Sequence, residues 1–117
     1  MPHLEFKALK IEQIKILSKN LPPKLADIIQ CPPDWFTFTV SSSADVNLYY
    51  DGEIITDTVF VYVEWFDRGQ EIKDKVAKIL TEQILFSDAD YFENIKNVTV
   101  IFKTHHASDY FENGEHF

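Results

Sequence analysis

The fold turns on the stretch Val59-Phe60-Val61-Tyr62-Val63-Glu64-Trp65-Phe66-Asp67-Arg68-Gly69-Gln70. Its first eight residues hold a single charge, Glu64, which fits a strand covered on both faces and ended at Asp67. Asp67 is a good helix N-cap, and Gln70 stands three residues on, where its side chain reaches back to the cap. Ile72, Val76, Ile79, Leu80 and Ile84 then recur every few positions and mark an amphipathic helix, closed by the polar run Ser87-Asp88-Ala89-Asp90. Val98, Val100 and Phe102, alternating with Thr99, Ile101 and Lys103, supply the next strand. The stretch therefore opens a β-α-β unit.

Upstream lies a hairpin and, before it, a second unit of the same kind. Leu48-Tyr49-Tyr50-Asp51-Gly52-Glu53-Ile54-Ile55 places Asp-Gly between two strand-like arms, the signature of a type I′ turn. Trp35 to Val40 alternates and is rich in aromatic and β-branched residues, and Ser41-Ser42-Ser43 after it is a loop. Between Lys10 and Gln30, Ile11, Ile14, Leu17, Leu21, Leu25, Ile28 and Ile29 keep helical spacing across Pro22-Pro23, which predicts a kinked or restarted helix. Residues 2–8 alternate, with Leu4 and Phe6 on one side and His3, Glu5 and Lys7 on the other. The tail from Ala107 to Phe117 shows no clear period.

The expected architecture is α+β: two βαβ halves forming a four-stranded sheet, two helices on one face and an inserted β-hairpin, with residues 1–117 as one domain. Two helices cover one side of such a sheet. The second and third strands are apolar on both sides, so the other side needs a second subunit.

Charge narrows the partners. Eleven Lys and Arg stand against 19 Asp and Glu, a net −8, which disfavours nucleic acid and anionic membrane surfaces. No apolar run reaches membrane-spanning length, and Met1-Pro2-His3-Leu4-Glu5-Phe6-Lys7 lacks the basic-then-apolar order of a signal peptide, so a cytoplasmic protein is expected. Cys31 is the only cysteine, which rules out a disulfide within the chain and reads as a half-buried structural thiol. His105 and His106 are adjacent, and so point to opposite faces of a strand, while His3 and His116 sit near opposite ends. No metal site is expected, and surface or capping roles are the default for all four. Asp88, Asp90 and Glu93 lack the order of a calcium loop and read as a solvated helix end.

A chain that opens Met1-Pro2, runs βαβ twice and leaves one sheet face uncovered resembles the tautomerase superfamily, which includes macrophage migration inhibitory factor and 4-oxalocrotonate tautomerase. Cys31-Pro32-Pro33-Asp34-Trp35 resembles the Lys-Pro-Pro-x-aromatic segment that enters the second strand of the migration inhibitory factor. The strand running into Arg68-Gly69 resembles the Gly-rich start of that family's second helix. Trp65 to Glu71 and Glu112 to Phe117 look more particularly like an uncharacterised bacterial branch.

The resemblance implies a homotrimer with pockets at subunit boundaries, no cofactor, and a proline exposed by removal of the initiator Met. Pro2 is the matching residue. An ordinary α-amino group has a pKa of about 7.7–8.0 and a secondary amine starts higher, but an apolar pocket brings it toward neutrality, where it serves as a general base. Arg68, the only arginine, sits where a helix begins and is the candidate binder of a small carboxylated keto or enol substrate. Its plain alternative is a salt bridge to Asp67 or Glu71. Trp35, Tyr110, Phe111 and Asn113 match the aromatic wall and amide that family pockets draw from the strand after Pro-Pro and from a neighbouring tail; packing is the alternative for each aromatic. Cys31 replaces the family's lysine, so that cationic contact is missing. Two other readings remain: a non-catalytic oligomeric binding protein that keeps the fold, and a ferredoxin-like dimeric barrel.

Overall fold

Alternation at the start of the chain produces β1 (His3–Lys7), with Leu4 and Phe6 fully buried. The computed structural model describes residues 2–41, 48–85 and 95–116. Helix α1 (Ile11–Ile29) follows, then a 3-10 turn (Pro33–Trp35), β2 (Thr37–Ser41), the hairpin strands β3 (Leu48–Tyr50) and β4 (Glu53–Ile55), and β5 (Thr58–Phe66). Helix α2 (Gln70–Leu85), β6 (Asn97–His105) and the short strands β7 (Phe111–Glu112) and β8 (Glu115–His116) complete the described order. Ser42, Ser43 and the polar group Asp88, Asp90 and Glu93 lie outside the described residues.

The main sheet has the order β2-β1-β5-β6. Within each half the two strands are parallel, β1 with β2 and β5 with β6, and the halves join through the antiparallel pair β1–β5. The architecture is the expected α+β arrangement. Val59, Val61, Val63 and Trp65 of β5 point into the core, where they meet Ile14, Leu17, Leu21 and Leu25 of α1 and Val76, Leu80 and Ile84 of α2.

Local structure departs from expectation in several places. Helix α1 runs through Pro22 and Pro23 as one element instead of restarting. The prolines remove two backbone donors, yet Leu17 and Leu21 before them and Leu25 after them are buried along one stripe, and that packing holds both segments in a common phase. Ile11, placed on the same stripe by its spacing, is 51% exposed in the first turn. Asp67 does not cap α2 directly: its Oδ1 accepts the Gly69 N–H at 3.0 Å, and Gln70 donates forward to Asp74 at 2.8 Å. Gly69 begins the helix, its carbonyl accepting the Lys73 N–H at 3.2 Å, with φ of +88°. A Cβ there would meet nothing within 4 Å, so the cost of Gly69→Ala is conformational alone, about 1–2 kcal/mol. Urea unfolding should show that loss; an unchanged midpoint would argue that the turn relaxes freely.

The other sheet face is more polar than the sequence reading held. On β2 it carries Thr37 and Thr39, since Phe36, Phe38 and Val40 all turn toward the helices. Among the described residues of the main sheet, β5 alone is apolar on both sides, presenting Phe60, Tyr62 and Phe66 with Glu64 among them. On this open face Lys7 and Lys103 lie over the Tyr62 ring at 5.0 and 5.1 Å from its centre. Both ring nitrogens of His3 are engaged, with Thr37 Oγ1 at 2.6 Å and Thr39 Oγ1 at 3.2 Å. A depression of about 150 Å³ lies between His3, Glu5, Tyr62, Glu64 and Lys103.

The Asp51-Gly52 turn has positive φ at both residues, +51° and +79°, as a type I′ hairpin requires. Asn113-Gly114 repeats the device, +55° and +83°, and folds the tail, which showed no period, into β7–β8.

Candidate functional site

Four chain segments end or begin at one end of the sheet: the start of β1, the start of β2, and the ends of β5 and β6. Pro2 is buried there, its carbonyl accepting the Thr37 N–H at 3.2 Å. His3 pairs with Glu64, so one step along the same register sets Pro2 beside Trp65.

Arg68 stands over the end of β5. Leaving the strand, the chain turns through Asp67 and Gly69, and this brings the guanidinium back over the Trp65 ring at 5.1 Å and the Phe66 ring at 5.9 Å. Its Nη1 donates to the Phe66 carbonyl at 3.0 Å. The salt-bridge alternative fails on partners: Asp67 faces Lys73 at 3.9 Å and Glu71 faces Lys75 at 3.5 Å. Among the described residues no carboxylate pairs with Arg68. Burial lowers its pKa, while Cys31 and Tyr110 favour its charged form. Below it, the Trp65 indole Nε1–H is buried and has no acceptor among the described residues, a cost of about 1–3 kcal/mol.

Cys31 is delivered by the end of α1. Gln30 takes a left-handed conformation (φ +63°), and both its N–H and that of Cys31 return to the Ala26 carbonyl, at 2.8 and 3.3 Å. Burial pushes the thiol pKa up, and the positive charge of Arg68 pulls it down. Tyr110 packs edge-on against Phe66, ring centres 4.5 Å apart, and lies 6.1 Å from the His105 ring. Burial and then the Glu64 carboxylate push its phenol up, with Arg68 opposing. His105 Nε2 meets Glu64 Oε2 at 2.6 Å.

Two of these groups give a testable pH dependence. The raised values of Cys31 and Tyr110 mean that their neutral forms are favoured in the folded protein. That stability is complete below the ordinary unfolded values and is lost as pH rises through the folded ones, so it fades above about pH 8.5–10. The urea midpoint of Cys31→Ala should fall less steeply over that interval than the wild type's; parallel curves would remove Cys31 from the account.

The structure thus joins Arg68 and Tyr110, both picked out in the sequence, with Cys31 and His105, read there as a structural thiol and a surface or capping residue, and with Glu64, to which the sequence reading gave no role. Tyr110 packs on Phe66 of its own chain, whereas the resemblance drew tail residues from a neighbour. Trp35 closes the 3-10 turn, half-buried. Phe111 is 56% exposed, and Asn113 occupies the first turn position of the tail hairpin. Among the described residues, no three of His, Cys, Asp and Glu are grouped as metal ligands, and no helix is long and apolar enough to cross a membrane.

Comparison with known proteins places this architecture. A family model described as a Domain of unknown function (DUF1904) matches residues 1–116. The chain belongs to the DUF1904 family. A DUF1904 crystal structure from Sebaldella termitidis is 33% identical, with each chain covered over 100% of its length and a TM-score of 0.81. A fused 4-OT described as an asymmetric trimer matches at 16% identity and TM-score 0.77, over 97% of this chain and 94% of its own. A macrophage migration inhibitory factor-like protein from Entamoeba histolytica matches at 15% identity and TM-score 0.65, over 99% and 98%. No curated protein matches. This DUF1904 protein therefore has the tautomerase-superfamily fold.

Proposed function

We propose that this DUF1904 protein is a cofactor-independent tautomerase acting on a small carboxylated keto or enol substrate. Pro2, freed by removal of Met1, is the general base, and Arg68 holds the carboxylate. One observation carries the reading: the chain's single guanidinium is half-buried over two aromatic rings, has no carboxylate partner among the described residues, and shares its end of the sheet with Pro2. Planar, doubly donating and already partly desolvated, it suits a planar anion. Burial of Pro2 supports a lowered basicity of its nitrogen once that nitrogen is the chain terminus. Trp35, Phe111 and Asn113 complete the pocket through neighbouring copies.

The active form is a homotrimer of single-domain chains, with the open face of β5 covered by another copy; the fused 4-OT trimer shares this fold. An unpaired cysteine suits the cytoplasm.

The test uses enol–keto interconversion of phenylpyruvate, after intact mass has shown loss of Met1. Arg68→Lys keeps the charge and loses the fork, and should raise KM about tenfold or more with a smaller change in kcat. Unchanged KM in both Arg68→Lys and Arg68→Ala would take Arg68 out of the site. Light scattering of the wild type checks the trimer, which a monomer or dimer would contradict.

A further inference from the structure

We propose that the β3–β4 hairpin of each copy docks on the open sheet face of a neighbouring copy, with the Tyr49–Ile54 pair against Tyr62 and Ile101 and the acids Asp51 and Glu53 beside Lys7 and Lys103. The inference rests on the self-association part of the reading above and names the segment that makes the contact. It is independent of the chemistry at Pro2.

The hairpin has a well-formed turn but nothing beneath it. Asp51-Gly52 sets the connection, and three residue pairs join the arms: Leu48 with Ile55, Tyr49 with Ile54 and Tyr50 with Glu53. These arms form a sheet of their own, separate from the main one. Two short strands alone are marginal in water and need an apolar surface to pack on. None of the hairpin residues belongs to the core or packs against it. Tyr49 and Ile54 stand opposite each other, and so on one face, where they are 61% and 54% exposed. With Tyr50 they make three of the six exposed large apolar side chains among the described residues, a concentration that marks a contact surface.

The open face matches this hairpin in size, apolarity and charge. From β1 to β6 it spans two strand spacings, about 10 Å, which is also the length of a three-residue arm. Tyr62 lies at its centre, with Phe60 two residues before it and the exposed Ile101 opposite on β6. Lys7 and Lys103 flank the Tyr62 ring, and neither pairs with a carboxylate among the described residues. The face has two carboxylates of its own: Glu64 meets His105, and Glu5 makes no ion pair among the described residues. Asp51 and Glu53 on the hairpin are exposed and equally unpaired there. In a chain of net charge −8, a surface with two unpaired cations is where an acidic hairpin approaches without strong repulsion.

The contact is head-to-tail, because hairpin and face are different surfaces. Each copy gives one hairpin and accepts one, so the contacts close into a ring and no copy keeps a bare face. Three copies satisfy this, in keeping with the homotrimer proposed above.

Sedimentation equilibrium and light scattering read the assembly, and urea unfolding checks the fold of each variant. Tyr49→Thr combined with Ile54→Thr keeps β-forming residues in both arms and removes the apolar pair. It should raise the dissociation constant at least about 30-fold, as loss of an interface anchor does. Glu53→Lys and Lys103→Glu, both at exposed positions, should each weaken assembly about tenfold, and the two together should recover most of that loss, as facing charges do. A carbodiimide gives a second readout in the unaltered protein. In a mixture of ¹⁴N- and ¹⁵N-labelled chains, mass spectrometry should find Asp51 or Glu53 of one copy joined to Lys7 or Lys103 of another. An assembled wild type whose hairpin variant assembles equally well, or whose cross-links between copies bypass the hairpin, overturns the inference and leaves the trimer standing. A monomeric wild type overturns both. Phenylpyruvate turnover enters none of these readings, so failure of the catalytic proposal leaves them unchanged.

Discussion

Pro2→Ala, with Met1 removed, is expected to interconvert the enol and keto forms of phenylpyruvate at least 10²-fold more slowly than the wild type, the lower end of what a positioned general base contributes. On the proposed reading, in which Arg68 holds the carboxylate, the effect should fall on kcat. A chain that retains Met1 should be as impaired as the variant, since the proline nitrogen is then an amide and has no basic lone pair. Wild-type, Pro2→Ala and Met1-retaining samples with equal kcat would end the proposal that Pro2 is the base. Pro2 is buried at the start of β1; on the proposed reading, a freed ammonium there loses hydration, which favours the neutral amine.

Trp65→Ala is the largest expected loss of stability, about 3–5 kcal/mol, with the melting temperature falling by more than about 10 °C. The side chain is fully buried, stacks on Phe102 at 5.1 Å between ring centres and forms the platform for Arg68. Trp65→Phe should cost much less. It keeps a ring under the guanidinium and also removes the buried Nε1–H that has no acceptor among the described residues, which offsets part of the lost volume. Urea unfolding compares the two directly. Equal losses would mean that the indole N–H finds a partner in the folded protein.

Much of the fold was legible in the sequence because it rests on periodicity. Leu4 and Phe6 alternate with charged neighbours, the stripes of α1 and α2 repeat at helical spacing, and Asp51-Gly52 names its turn type, since few residues tolerate positive φ at both positions. Asn113-Gly114 carried the same signal and passed unread in a tail without alternation around it. Pro22-Pro23 left a kinked or a restarted helix open, and the structure decides for one element, with the buried stripe continuing on either side of the prolines.

The candidate site was legible only in its chemically conspicuous members. Pro2 stood out by position and Arg68 by being alone of its kind. His105, Glu64 and Cys31 did not, because each is ordinary in its own segment, and what sets them apart is strand pairing and a helix end that bring distant positions within reach. The same limit applied to the open sheet face, where the apolar count suggested both strands and the register showed β5 alone.

By itself the sequence determined the elements, their order, the apolar faces and the charge that disfavours anionic polymers, all consequences of short-range spacing and composition. The tertiary structure alone decided that the lone arginine finds no carboxylate among the described residues, that it lies back over Trp65 and Phe66, and that Glu64 and His105 share a hydrogen bond. The Glu64–His105 pair spans 41 positions, while Arg68 folds back over near neighbours through the turn that leaves β5; no periodic pattern encodes either, because the energy that fixes them comes from burying the sheet against its helices.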